Sequence, residues 1–234
     1  MATNYTRRTY TASNGINLQI IKTAASNIKL VDLGGSKNLK QSGYTGINGG
    51  FFTWGTSGHI LSIAKCDGQV LCNSNNWLGA AAIYWNSKAL NYINGERQLT
   101  ASEIPGTLRP NTWAQGGYYM WLGANDAFNR AMNEVNQDDG GYLTQSASGR
   151  TALVADIIHQ DVYLIVTNNN NTFTTFCRAI EEYLGITPGS VPSGQFHGVM
   201  LDGSGSSQLC DKGVYIAEGD QRMLHEVIVL RNDT

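Results

Sequence analysis

The feature that most constrains the fold is a strand–strand–helix unit in the second half of the chain. Thr151 to Ile158 and Val162 to Thr167 are apolar and β-branched, and only His159-Gln160-Asp161 separates them. Such a pair reads as two antiparallel strands joined by a short turn. Phe173, Phe176, Cys177, Ile180, Tyr183 and Leu184 then recur at helical spacing, and Gly185 stops the stripe. Between them, Asn168 to Asn171 reads as a loop, because Asn bonds its own backbone and tolerates left-handed conformations.

Further strands are expected at Asn17 to Lys22, Ile28 to Leu33, Gly198 to Leu201 and His225 to Leu230. Leu78 to Trp85 and Ser87 to Ile93 form a pair around Asn86, and Gly116-Gly117 leads into the apolar run Tyr118 to Leu122. Asn125 to Val135 is a second helical candidate, with Asn125 as its cap. The polar, glycine-rich stretch Asn136 to Gly149 is expected to be a loop near a site. Strands dominate, with one or two helices packed on them. The expected class is α+β, with a mixed β-sheet core in a single domain.

The 234 residues suffice for one sizeable core. With 27 glycines and 4 prolines, the chain favours tight turns over disordered linkers. A net charge of −2 with sparse, scattered Lys and Arg argues against a nucleic-acid partner. No stretch approaches a membrane span. No apolar run follows Met1 to Arg8, which points to a cytoplasmic protein with four reduced cysteines. Removal of an export signal would reverse that expectation and allow Cys66 and Cys72 to pair. The oligomeric state is not encoded in any pattern here.

Three segments carry chemistry. In Ile47-Asn48-Gly49-Gly50-Phe51-Phe52, an Asn and two glycines leave N–H groups free at a turn that the aromatic pair can anchor; an ordinary strand-ending turn has the same pattern. In Ser148-Gly149-Arg150-Thr151, an Arg opens a buried strand and needs either a salt-bridge partner or an anionic ligand such as phosphate. In Leu201-Asp202-Gly203-Ser204-Gly205-Ser206-Ser207, an acid ends an apolar strand and a Gly/Ser turn follows. Successive amides and hydroxyls there can face one concavity. The serines do not form a nucleophile elbow, and no Gly-Lys-Ser/Thr marks a P-loop.

Taken in order, these segments resemble the phosphodiester glycosidase (uncovering-enzyme-like) family. That family has Asn-Gly-Gly-Phe-Phe, here Asn48 to Phe52, then Arg-Thr-Ala opening a strand, here Arg150 to Ala152. A helix follows, then Leu-Asp-Gly-Gly-Gly-Ser-Ser, here Leu201 to Ser207, and a late Arg, here Arg222. The resemblance covers about residues 16–230 and implies one catalytic domain over 1–234. One position departs from it: Ser204 stands where the family has glycine.

The resemblance implies a hydrolase that cleaves a sugar from a phosphodiester at the anomeric carbon, acting on a sugar-phosphate or nucleotide-derived substrate. Arg150 would clamp the phosphate. The amides of Gly49, Gly50, Gly203 and Gly205, with Ser206 and Ser207, would add neutral donors. Asp202 would activate water or bind a sugar hydroxyl, and Asn48 would orient the turn or touch substrate. Thr151, Ser204 and His197 complete the candidate substrate-binding set. Glu103, Asp156 and Glu218 are candidates for a second carboxylate, and Trp54, Trp113 or Tyr118 for a sugar-stacking ring. No cofactor is expected; Asp202 with neighbouring carbonyls is the place where a divalent cation such as calcium would sit. The alternatives are a non-catalytic module binding phosphorylated sugars or nucleotide-derived ligands, and a structural or adhesion domain.

Overall fold

The hairpin and helix form where the residue pattern places them. In the computed structural model, which describes residues 4–53, 58–75, 80–94, 99–107, 109–125, 148–189 and 193–233, the strands are β12 (Ser148–Asp156) and β13 (Asp161–Asn171). The helix, α2 here, spans Phe173–Leu184. Its start is fixed by a capping box between Thr172 and Thr175, and its end by Gly185 in the left-handed region. The Asn run is not a loop. It extends β13, because Asn171 pairs with Ser148 across the ladder and its side-chain amide donates to the Ser148 carbonyl at 3.0 Å.

The remaining strands are β1 (Tyr5–Thr11), β2 (Asn17–Ala24), β3 (Ile28–Lys37), β4 (Gly46–Asn48), β5 (Ala64–Cys66), β6 (Gln69–Cys72), β7 (Ser74–Asn75), β8 (Ala80–Trp85), β9 (Leu90–Asn94), β10 (Leu99–Thr100), β11 (Trp113–Tyr119), β14 (Phe196–Met200), β15 (Leu209–Asp211), β16 (Val214–Ala217) and β17 (Leu224–Leu230). The other α-helix among the described residues is α1, Leu39–Ser42. The large sheet runs β1-β2-β13-β12-β14-β11-β5-β6, with β8 and β9 continuing from the other edge of β11. A second sheet runs β16-β15-β4-β17-β3.

This architecture corrects the expected class. The protein is predominantly β rather than α+β, and every strand ladder among the described residues is antiparallel rather than mixed. The reason lies in what covers the sheet. Along β12, Leu153 and Ala155 face a core shared with Ile47, Ile228 and Leu230 of the second sheet, while Ala152 and Val154 face Phe173, Phe176 and Ile180 of α2. Both faces are buried, so β12 is apolar throughout instead of alternating. One helix covers part of one face, and a second sheet makes the larger core. The helical candidate Asn125 to Val135, and residues 136–147 of the expected loop, lie outside the described residues except for Asn125 itself.

Candidate functional site

The site forms where β4 of the small sheet meets the ends of β12 and β14 in the large one. β12 and β14 pair antiparallel with Ala152 opposite Met200, and the Leu201 amide donates to the Thr151 carbonyl at 2.9 Å. Two residues beyond Ala152 in one direction and Met200 in the other, this register sets Arg150 beside the turn that begins at Asp202. A β-carbon on Gly203 would stand 3.6 Å from Arg150 Nη1. Arg150 is 3% exposed and Asp202 is half-buried.

Asn48 ties the two sheets together. Its Nδ2 donates to the Asp202 carbonyl at 2.8 Å and to the Gly49 carbonyl at 3.2 Å. Its Oδ1 accepts from Thr151 Oγ1 at 2.8 Å and from the Gln208 amide at 3.2 Å. The carboxamide is thus fully used by the protein, and Asn48 positions the turn. Thr151 is likewise engaged with Asn48. Gly49 and Gly50 do not offer free amides: Gly49 donates to the Glu226 carbonyl at 2.8 Å and Gly50 to Glu226 Oε2 at 3.1 Å.

The Asp202 turn closes as a short 310 segment, Ser204–Ser206. The Ser206 and Ser207 amides are spent on the Gly203 and Ser204 carbonyls. Ser204 and Gly205 head the turn, where the first N–H groups have no acceptor within it. Ser204 is exposed and adopts φ 55°, a left-handed conformation that a glycine would take without cost. A side chain at Gly205 would push the Asp220 side chain aside. A β-carbon there would lie 2.0 Å from Asp220 Oδ2, part of the Asp220–Arg222 ion pair packed against the turn.

Burial raises the Asp202 carboxyl to a pKa of about 6; the Ser206 hydroxyl and the Gly203 amide partly offset that rise. An acid so poised can exchange a proton near neutral pH.

His197 stands apart. It precedes Asp202 by five residues along β14, about 16 Å of extended chain. Its ring is buried, stacks on Tyr92 at 3.4 Å between centroids, and lies 2.8 Å from the Tyr119 hydroxyl through Nδ1. Burial lowers its pKa to about 4, so it is a neutral core histidine. The other candidate acids also serve local structure. Glu103 caps a 310 turn through Thr100, Asp156 holds His159 and Gln195 at the hairpin tip, and Glu218 accepts from Gln221. Trp113 is core, with its indole N–H on the Ala25 carbonyl, and Tyr118 packs edge-on against Phe51. Trp54 lies outside the described residues.

The residue that sequence reasoning missed is Glu226. It is 2% exposed on β17, opposite Asp32, and its pKa rises to about 8 because burial outweighs the Gly50 and Gln115 contacts. No Lys or Arg of the described residues pairs with it. Its Oε1 and the Oε1 of neighbouring Gln115 are both buried without a partner. A proton on Glu226 would supply the missing donor. Gly49 joins this acid to the site, since its carbonyl accepts from the Asp202 amide at 3.4 Å. The signal was present: a single carboxylate inside Leu224-His225-Glu226-Val227-Ile228-Val229-Leu230.

Among the described residues, no three His, Cys, Asp or Glu side chains gather as a metal site would require. No helix there is long and apolar enough to cross a membrane, and the four cysteines are free thiols.

With this geometry in hand, solved structures give a clear likeness. The catalytic domain of zebrafish N-acetylglucosamine-1-phosphodiester alpha-N-acetylglucosaminidase, auto-inhibited by its pro-peptide, superposes with a TM-score of 0.69 over 97% of this chain and 82% of that one, at 13% identity. The chain shares its fold. A protein from Burkholderia pseudomallei K96243 matches with a TM-score of 0.61 over 92% of this chain and 74% of its own, at 12% identity. No protein-family model and no curated protein matches the sequence.

Proposed function

We propose that the protein is a hydrolase of glycosyl phosphodiesters. The observation that carries this reading is the placement of Arg150 against the turn that begins at Asp202, two groups drawn from different strands into one site. The shared fold with a glycosidase named for acting on an N-acetylglucosamine-1-phosphodiester supports it.

Cleavage at an anomeric carbon develops positive charge on the sugar and negative charge on the departing phosphate. Arg150 presents a planar fork of donors that suits the phosphate. A phosphate monoester leaves readily, so a strong general acid is not needed. Asp202, titrating near 6, takes the proton of an attacking water when ionised. The amides of Ser204 and Gly205, at the head of the turn that follows Asp202, would add neutral donors. Asn48 and Thr151 hold the turn in place rather than touching substrate.

The experiment is release of free sugar from N-acetylglucosamine-phospho-mannose and from a panel of nucleotide sugars. Asp202→Asn is expected to lower kcat/KM by about 10²–10⁴-fold, and Arg150→Lys by about 10²-fold or more. The wild-type rate is expected to fall as pH drops through about 6, because the active form of Asp202 is the carboxylate. Full activity in both variants would refute the assignment. Calorimetric binding of these substrates without turnover would favour a non-catalytic module instead.

A further inference from the structure

Lys65, at the centre of β5, lies far inside the protein for an ammonium. It is 2% exposed. A buried cation ordinarily has a carboxylate partner, because desolvation is costly without one. Lys65 has none among the described residues. Among the described residues its Nζ donates to a single acceptor, the Ala101 carbonyl, at 3.0 Å. Burial alone lowers its pKa, and no acid opposes that shift. Glu103, the nearest acid in sequence to Ala101, is turned to the Thr100 amide and hydroxyl at 2.5 and 2.7 Å.

Lys65 and Ala101 both line a concavity of about 500 Å³. Its wall also carries Asn73, Ser102 and, at the exposed rim, Arg109. The lining holds two cations, a carboxamide, a hydroxyl and no acid. None of these residues belongs to the site around Arg150 and Asp202. The volume falls in the ordinary range for small-molecule sites, about 300–1,000 Å³. It exceeds what a bare oxyanion fills, so an organic molecule bearing the anionic group fits better.

We propose that this concavity is a second ligand site, which takes a small organic phosphate or carboxylate with its anionic group between Lys65 and Arg109. An ammonium with unspent donors supplies a point charge, and the Arg109 guanidinium supplies a planar fork at the entrance. Asn73 and Ser102 can bond the hydroxyls of the attached group. The site does not depend on the reaction proposed above.

Titration calorimetry tests it with glucose 6-phosphate, citrate, inorganic phosphate and uncharged glucose. The wild type is expected to bind at least one of the two organic anions and to ignore glucose, with affinity falling as salt rises. Lys65→Met and Arg109→Ala are each expected to weaken binding tenfold or more. Arg150→Met, which removes the phosphate-binding group of the proposed catalytic site, is expected to leave it unchanged, which separates the two sites. Lys65→Met keeps the buried stem without its charge. Should that variant fail to fold, Arg109→Ala alone decides, because its side chain is at the surface. Absence of binding by both organic anions would overturn the proposal. So would binding that survives in Arg109→Ala, or binding that disappears in Arg150→Met.

Discussion

Replacing Glu226 by Gln asks whether the carboxyl behind the Gly49-Gly50 turn is neutral in the native protein. The folded state raises its pKa from 4.5 to about 8, so the native protein retains a proton that the unfolded chain gives up. Its contribution to stability is therefore fully present below pH 4.5 and is lost as pH rises toward 8. At about 1.36 kcal/mol per pKa unit, the loss reaches about 3 kcal/mol at pH 7 and about 4 kcal/mol at pH 8, where the folded carboxyl is itself half ionised. Glutamine is neutral throughout. Its oxygen can still accept from the Gly50 amide, and its NH₂ can meet the unpaired Oε1 of Gln115. Asp202 also titrates, but it is present in both proteins and cancels in the difference. Urea unfolding of wild type and Glu226→Gln from pH 5 to pH 8 measures the effect. The stability advantage of the variant is expected to grow by about 2–3 kcal/mol between pH 5 and pH 7, since a little under about 1 kcal/mol is already lost at pH 5. Parallel stability curves would mean that Glu226 ionises normally, and the account of this buried acid would be wrong.

Asn48→Ala removes four hydrogen bonds, two of which (to the Asp202 carbonyl and from the Thr151 hydroxyl) join the two sheets at the site, and leaves the Gln208 amide and the Thr151 hydroxyl without their acceptor. A loss of about 2–4 kcal/mol in urea unfolding is expected, together with weaker activity even where the variant is folded. Unchanged stability would show that the inter-sheet link is dispensable. Ser204→Gly relieves a left-handed residue at φ 55°, a gain of about 1–2 kcal/mol, offset by about 0.5–1 kcal/mol of extra backbone entropy. Thermal melting is expected to rise by about 1–3 °C, and a lower Tm would contradict the strain argument.

The local pattern of the chain determined a good deal. The β12–β13 hairpin, the α2 helix with its Gly185 stop, and the β8–β9 pair are set by short-range periodicity and turn chemistry, and all were legible in the residues. The three motifs were legible too, because their residue types are unusual at strand ends. Tertiary structure alone decided the class, since apolar runs do not say whether a helix or another sheet will cover them. It also decided the roles of residues whose types were already conspicuous. Asn48 became a sheet-to-sheet tie, the Gly49 and Gly50 amides were taken by Glu226, and His197 was stacked in the core. The states of Glu226 and Lys65 are the sharpest case. A carboxylate or an ammonium has an ordinary pKa in any extended strand, and only the packing of distant segments around it removes water and withholds a counter-charge.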